Sequence, residues 1–311
     1  MDAYARQMSL PEMGLEGQHK LHTSSILVIG VGGLGCAALP YLAASGIRRI
    51  GMIDFDRIEA SNLARQTLFG HSDIGRWKAD VAEERLSALY PEVQFEPKIS
   101  RLTDQNAKQF ISDYDMILDG TDNLQARLTI NDACSFLQKP WVYGSIYQWE
   151  GQVSLFLPKN PDYRSLFPEG TSEFSCFNCS SGGVLGPFVG LVGTMQALAA
   201  IKYLAGIDEN LAGKLLLIDG KTWRFTSTNF GPGHLNYEVS STQLKEWMVN
   251  EKIKFIDSRE PFIAGSLVKN QKIVVYCQTG KRSFSLMRQL RKEGYDAYSL
   301  EGGINAINTW L

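Results

Sequence analysis

Ile26-Leu27-Val28-Ile29-Gly30-Val31-Gly32-Gly33-Leu34-Gly35 is the stretch on which the fold turns. Four consecutive apolar residues without polar alternation read as a strand buried on both faces, as strands of parallel sheets are. The run stops at Gly30, a G-x-G-x-x-G spacing follows, and Ala37 to Ala44 carries a helical pattern. Ile50 to Ile53 is a second apolar strand, and it closes on Asp54. Strand, glycine turn, helix and strand make a βαβ unit. The glycines allow a tight turn and close approach of the backbone to phosphate, and the helix N-terminus presents N–H groups and a positive dipole end. Asp54 stands where a carboxylate accepts hydrogen bonds from ribose hydroxyls. By itself this says nucleotide, and it leaves an NAD-dependent Rossmann oxidoreductase open.

The pattern repeats outward. A short helical arm (Tyr4 to Met8) and a helix near Leu15 to His22 precede the unit. After it come a helix from Ala79 to Leu89 that stops at Tyr90-Pro91, and a strand at Val93 to Phe95. Thr103 is the expected cap of a helix running to Ile111. Met116-Ile117-Leu118 reads as another buried strand leading into Asp119-Gly120-Thr121-Asp122. A helix from Leu124 to Leu137 and a strand at Trp141-Val142-Tyr143 follow. Gln152 to Leu157 has the alternation of an antiparallel strand. The fold class is therefore α/β, a Rossmann-like doubly wound sheet with an antiparallel extension. Residues 226–236 read as a linker into a second, small α/β pattern. It has a helix at Ser241 to Val249, strands at Phe255 to Asp257 and Ile273 to Tyr276, a helix from Ser283 to Glu293 and a strand at Tyr298 to Leu300. The expected domains are 1–234 and 235–311.

Composition narrows the function classes. With 311 residues, 44% hydrophobic and 21% charged, the chain is an ordinary globular protein of two domains, and its net charge of −2 gives no broad grip on nucleic acid. Residues 175–201 carry no charge, but their glycines and Pro187 read as a loop and a buried helix starting near Pro187, not as a membrane span. The five cysteines are an odd number with no secretory signal before them, which favours a reducing, cytoplasmic setting.

The residues after Asp54 turn the reading from NAD to ATP. Asp56, Ser61-Asn62-Leu63-Ala64-Arg65-Gln66 and Lys78 crowd polar and cationic groups behind the ribose aspartate, which hydride transfer does not require. Arg65 and Lys78 suit the β and γ phosphates, and Asn62 and Gln66 can orient them. Asp122, after a parallel strand, can hold Mg²⁺ or position the acyl acceptor. Taken together with Tyr4-Ala5-Arg6-Gln7-Met8, the glycine motif, Asp54-Phe55-Asp56, Thr121-Asp122-Asn123 and Glu150-Gly151-Gln152, these runs closely resemble the ThiF/MoeB/HesA-type adenylyltransferases over residues 1–225. The resemblance implies ATP with Mg²⁺, and a ubiquitin-like sulfur-carrier protein whose C-terminal Gly-Gly end is adenylated. It also implies a homodimer in which Arg6 reaches the partner's nucleotide. The positions it implies for ATP are Gly32, Gly33, Asp54, Asp56, Ser61, Asn62, Leu63, Ala64, Arg65, Gln66, Lys78, Asp122 and Asn123.

Two cysteine segments carry the remaining chemistry. Cys176-Phe177-Asn178-Cys179 is a single C-x-x-C, and where relatives place another pair this chain has Asp162-Tyr163-Arg164-Ser165, so no structural zinc is expected. Asn178 to Gly186 resembles the crossover-loop cysteine segment of that family, which makes Cys179 the candidate nucleophile or resolving thiol. Cys277-Gln278-Thr279-Gly280-Lys281-Arg282 lies between a buried strand and a helix start, where curled backbone N–H groups and two cations favour thiolate and then persulfide. Its C-x₄-R spacing, with Asp257 to Pro261 and Leu300 to Ile304, resembles rhodanese sulfurtransferases, although Phe262 to Gly265 leads almost directly to Ile273 and omits a segment relatives have. The expected activity is adenylation followed by sulfur transfer from a persulfide donor such as a cysteine desulfurase. A ubiquitin-like activator that forms a thioester without sulfur, and a non-catalytic binding protein, are the alternatives beside the oxidoreductase.

Overall fold

In the computed structural model the deciding stretch forms β1 (Ser25–Ile29), a fully buried strand. The structure describes residues 2–158, 162–167, 183–207 and 210–230, and beyond these 238–239, 244, 248, 253–258, 267, 271–276, 283, 286–287, 290–291 and 293–300. The chain divides into two units, 1–231 and 232–311.

The first unit opens with α1 (Ala5–Met8) and α2 (Gly14–Thr23). β1 leads into α3 (Gly33–Ala44) and β2 (Arg49–Ile53), then α4 (Lys78–Leu89) and β3 (Gln94–Lys98). The chain returns through α5 (Ala107–Ser112) to β4 (Met116–Asp119), α6 (Leu124–Leu137) and β5 (Trp141–Tyr147). An antiparallel hairpin gives β6 (Glu150–Phe156), followed by α7 (Tyr163–Leu166), α8 (Gly186–Leu204), β7 (Lys214–Asp219) and β8 (Arg224–Asn229). The eight strands lie in the order β3-β2-β1-β4-β5-β6-β7-β8. The first five are parallel and the last three antiparallel, so the sheet is doubly wound with an antiparallel extension.

β1 runs beside β2 on one flank and β4 on the other, so the chain reverses its direction of winding there. A crevice must open at the carboxyl ends of β1 and β4, where open α/β sheets take their ligands. α8 packs onto α3 beneath it: a Cβ placed on Gly193 would meet the Leu34 carbonyl at 2.5 Å, so the two helices approach backbone to backbone. α8 is long and apolar enough by composition to cross a membrane, yet half of it is buried within this unit and it carries a fully buried Gln196.

Several boundaries differ from the expectation. Thr103 does not cap a helix: its N–H donates to Asn106 Oδ1 in a preceding turn, and α5 starts at Ala107. The third strand lies at Gln94–Lys98, because its pairing with β2 sets its ends, and the first four residues of the expected linker are the last four of edge strand β8. β7 and β8 lie outside the expected strands, although Leu215 to Ile218 of β7 is an apolar run.

In the second unit β9 (Glu238–Val239), β10 (Ile253–Asp257), β11 (Lys272–Tyr276) and β12 (Ala297–Leu300) form a parallel sheet in the order β10-β11-β12-β9. Ile256, Ile273, Val275, Met287 and Leu290 pack on one face, and Leu244, Val274 and Leu300 form a second cluster. Alternation along β11 explains the split, since Val274 points away from Ile273 and Val275. Leu244, Met248 and Ser283 are helical, inside the two helices expected there. Cys176, Cys179, Cys277, the Lys281-Arg282 pair and the segment from Glu301 lie outside the described residues.

Candidate active site

The crevice is a cleft of about 620 Å³ at the carboxyl ends of β1, β2 and β4. Its floor depends on two glycines. Gly30 has φ +94°, and a Cβ on Gly35 would stand 2.1 Å from the Gly30 carbonyl oxygen, so α3 can start this close to the turn only without a side chain there.

Asp54 ends β2 and is buried. Its Oδ2 accepts from the Val31 N–H at 2.7 Å and its Oδ1 from the Asp56 N–H at 2.8 Å, which ties the glycine turn to the end of β2. Burial pushes its carboxyl up, while Lys78 and the two N–H donors pull it back. Lys78 opens α4 with a nearly buried side chain, and its Nζ donates to Asp56 Oδ2 at 2.9 Å. A buried ammonium with one partner among the described residues still has two donors to offer, which suits a phosphate.

A single turn holds the next group. The Asn62 carbonyl accepts from the N–H groups of Arg65 and Gln66, and Arg65 Nη1 donates to the Ser61 carbonyl at 3.0 Å. The turn stands over the glycine motif, with the Arg65 carbonyl 3.5 Å from the Cβ position of Gly33. Gln66 is buried on the cleft wall, and its Oε1 has no hydrogen-bond partner among the described residues. A buried amide oxygen without a donor suits a ligand or water that supplies one, because leaving it unsatisfied costs about 1–3 kcal/mol.

Of the residues expected to meet ATP, Gly32, Gly33, Asp54, Asp56, Asn62, Arg65, Gln66, Lys78, Asp122 and Asn123 line this one cleft. Ser61, Leu63 and Ala64 are not among its lining residues. Leu63 packs against the core, and Ala64 turns its carbonyl towards the start of α8, 2.1 Å from the Cβ position of Gly186. Arg6 is absent from the wall for a larger reason. Tyr4 Oη donates to Glu92 ahead of β3, and Gln7 Nε2 donates to the Ser45 carbonyl ahead of β2. The arm is therefore anchored at the amino edge of the sheet and the cleft opens at the carboxyl edge. One five-residue strand of about 17 Å separates the two edges, well beyond the reach of an arginine side chain.

Sequence reasoning missed a buried pair behind the Asp122 loop. Arg127 Nε meets Asp119 Oδ2 at 3.3 Å with both side chains almost wholly excluded from water. Nη2 of Arg127 donates to the carbonyls of Thr121 at 3.1 Å and Gly144 at 3.3 Å. Asp119 Oδ1 accepts from the N–H and hydroxyl of Thr121, and Gln196 Nε2 donates to the Asp119 carbonyl at 2.7 Å. Burial raises the Asp119 carboxyl, and the Arg127 charge opposes that rise. The loop that carries Asp122 is thus fixed from below, and Asn123 starts α6 by accepting from the Ala126 N–H. The signal was available: Arg127, Ile130 and Cys134 share one helical face, and a charge on an apolar face announces a buried partner. Phe55 and Arg101, also on the cleft wall, were missed as well.

Cys36 and Cys134 lie in α3 and α6, where burial pushes both thiols well up and makes them inert. Asp162 caps α7 by accepting from Ser165 N and Oγ, both at 2.9 Å, and takes a further bond from Asn131. Hydrogen bonds therefore fasten the segment in which the resemblance would place cysteines.

Residues 4–238 match the ThiF family and residues 251–309 match the rhodanese-like domain. The chain is 35% identical to the probable adenylyltransferase/sulfurtransferase MoeZ of Mycobacterium tuberculosis, with 97% of this chain and 91% of that protein covered. It is 44% identical to the sulfur carrier protein adenylyltransferase of Thermus thermophilus, across 70% of this chain and 83% of the relative. Against the adenylyltransferase and sulfurtransferase MOCS3 of Drosophila yakuba the identity is 42%, over 77% of this chain and 53% of that protein. Among solved structures, E. coli MccB with AMPCPP and MccA superposes with a TM-score of 0.66 at 21% identity, covering 76% of this chain and 73% of that one, which establishes a shared fold.

Proposed function

The chain belongs to the ThiF family and carries a C-terminal rhodanese-like domain, and from that premise we propose that it uses ATP to adenylate the C-terminal glycine of a ubiquitin-like sulfur-carrier protein and then directs sulfur onto it. One observation carries the reading: the ribose aspartate, the glycine turn, Arg65, Lys78 and Asp122 line a single cleft at the switch point of the sheet. The names of the relatives from Mycobacterium and Thermus support both halves of the activity.

In the first step a carboxylate oxygen of the carrier attacks the α-phosphorus of ATP, and the bond to the bridging oxygen of the β-phosphate breaks, releasing pyrophosphate. The cleft works by position and charge: Asp54 fixes the ribose, and Arg65 and Lys78 neutralise the departing pyrophosphate. Mg²⁺ would be held by the Asp122 carboxylate, exposed on the wall, together with the triphosphate oxygens, because no cluster of three or more His, Cys, Asp or Glu side chains suited to a metal lies among the described residues. Bound there, the ion would screen the triphosphate charge.

In the second step a persulfide on Cys277 attacks the carbonyl carbon and AMP leaves, giving an acyl disulfide. Attack by a thiolate, that of Cys179 or of a cellular reductant, on the Cys277 sulfur releases the carrier thiocarboxylate and leaves Cys277 in a disulfide with the attacking thiol, which a further cellular thiol reduces. A cysteine desulfurase or another persulfide donor reloads Cys277, and the reducing compartment suits this cycle. The anchoring of the arm at the amino edge supports a homodimer in which Arg6 of one copy serves the cleft of the other.

Carrier-dependent ATP–pyrophosphate exchange tests the assignment. Asp122→Ala and Arg65→Ala should each lower exchange by about 10²–10³-fold, as removal of a charge-stabilising group does, with unchanged thermal unfolding. Exchange at the wild-type rate in either purified variant would remove the active-site placement.

A further inference from the structure

Arg6 is exposed, and among the described residues its guanidinium has no hydrogen bond or ion pair. Tyr4 and Gln7, on either side of it in the arm, are fastened, and the fastening converges on one buried side chain of α2. Gln18 is 2% exposed, and its amide is fully used. Its Oε1 accepts from Gln7 Nε2 at 2.7 Å, and its Nε2 donates to the Ser45 carbonyl and to His22 Nε2, both at 3.0 Å. Gln7 Nε2 shares the Ser45 carbonyl at 2.9 Å. The Tyr4 ring meets the His22 ring edge-on, with centroids 4.9 Å apart. Room for these groups depends on a glycine: Gly46 has φ +97°, and a Cβ there would stand 2.6 Å from Gln18 Nε2 and 2.8 Å from His22 Nε2.

An apolar side chain would fill the place of Gln18 without needing partners, so what the amide adds is direction. Its oxygen needs a donor, and the donor that reaches it is Gln7. Successive residues of a helix point about 100° apart, so turning Gln7 inward turns Arg6 outward. We propose that Gln18 and Gln7 are positioning residues for the adenylation step: their amide pair sets the arm so that Arg6 stands away from its own subunit and meets the nucleotide in the cleft of a second copy. The proposal rests on the reading of Arg6 as a cross-subunit residue. Neither glutamine lines the cleft, so both act only through the placement of Arg6. With the pair broken, the hydrogen bond of Tyr4 to Glu92 still holds the arm to the sheet, but Arg6 loses its fixed direction.

The test is carrier-dependent ATP–pyrophosphate exchange by the full chain, in single variants and in mixtures. Gln18→Leu and Gln7→Leu should each lower exchange about tenfold or more, since a displacement of about 1 Å can cost about 10²-fold. Mixing separates a defect of the arm from a defect of the cleft. With Asp122→Ala protein, either variant should regain exchange once subunits have exchanged, because each hybrid dimer joins an intact cleft to an intact arm. With Arg6→Ala protein neither should recover, because both arms are then defective. Recovery with Arg6→Ala would mean that the substitution damages its own cleft, and it would overturn the proposal. Absence of recovery with Asp122→Ala, or wild-type exchange in either single variant, would overturn it too. Gln7 is half-buried on the short arm helix, so Gln7→Leu carries the test if Gln18→Leu does not fold. Failure of Arg6→Ala and Asp122→Ala to complement each other would instead overturn the cross-subunit reading, and this proposal with it.

Discussion

Replacing Arg127 by methionine removes the cation from a pair that water cannot reach. The guanidinium meets Asp119 at 3.3 Å and also holds the carbonyls of Thr121 and Gly144. Methionine fills much of the volume, so the loss is electrostatic: Asp119 stays in the core with only Thr121 to satisfy it. Breaking one partner out of a buried ion pair costs about 3–5 kcal/mol. A loss of about 4 kcal/mol moves the urea midpoint by roughly 1–2 M. Urea unfolding of the full chain, with hydrogen exchange of the 116–127 segment to localise the change, reads this directly. The Asp119→Asn, Arg127→Met double variant should be more stable than Arg127→Met alone, because the amide keeps the Thr121 bonds without a buried charge. The sign with pH is fixed as well. The Asp119 carboxyl already sits above its ordinary value, and without Arg127 it rises further. A carboxyl raised in the folded state is stabilised by protonation, so the variant recovers stability as pH falls through the folded value towards the unfolded value near about 3.9. A loss below about 1 kcal/mol at neutral pH, or a penalty that grows on acidification, would refute the buried pair.

Other perturbations have equally definite outcomes. Arg6→Ala and Asp122→Ala proteins should each be inactive in exchange, and mixing them should restore activity after subunit exchange, since one hybrid cleft has both residues; no recovery with proven exchange removes the cross-subunit role. Cys277→Ala should leave adenylation intact and stop thiocarboxylate formation, while wild-type protein treated with a sulfur donor gains roughly 32 Da on the Cys277 peptide; thiocarboxylate formed by Cys277→Ala at the wild-type rate sinks the sulfur-transfer role. Gly35→Ala drives a methyl group to 2.1 Å from a backbone carbonyl that cannot swing aside, so nucleotide binding should vanish with a stability loss of about 3 kcal/mol or more. Thermal unfolding and ATP titration that match wild type would show that α3 does not start against the turn as described.

The sequence by itself determined the local grammar of this protein. Short unbroken apolar runs closed by turn residues read as strands buried on both faces, so Ile26 to Ile29 and Met116 to Leu118 announced a parallel sheet, and a glycine turn between strand and helix announced phosphate. The crowding of Asn62, Arg65, Gln66 and Lys78 behind Asp54 was legible for the same reason: the groups lie within one turn-and-helix segment, and their spacing is written in the chain. Tertiary structure decided what depends on residues distant in sequence. Nothing local says that Phe55 and Arg101, on different strands' ends, stack at 4.1 Å, or that Arg127 finds Asp119 under the Asp122 loop. β8 has no apolar run because it is an edge strand exposed to solvent, so only its pairing with β7 reveals it. The arm at Arg6 is the plainest case. Its motif names a nucleotide contact, but only the anchoring of Tyr4 and Gln7 at the amino edge shows that the residue cannot serve its own cleft, because strands running parallel put their two ends a full strand length apart.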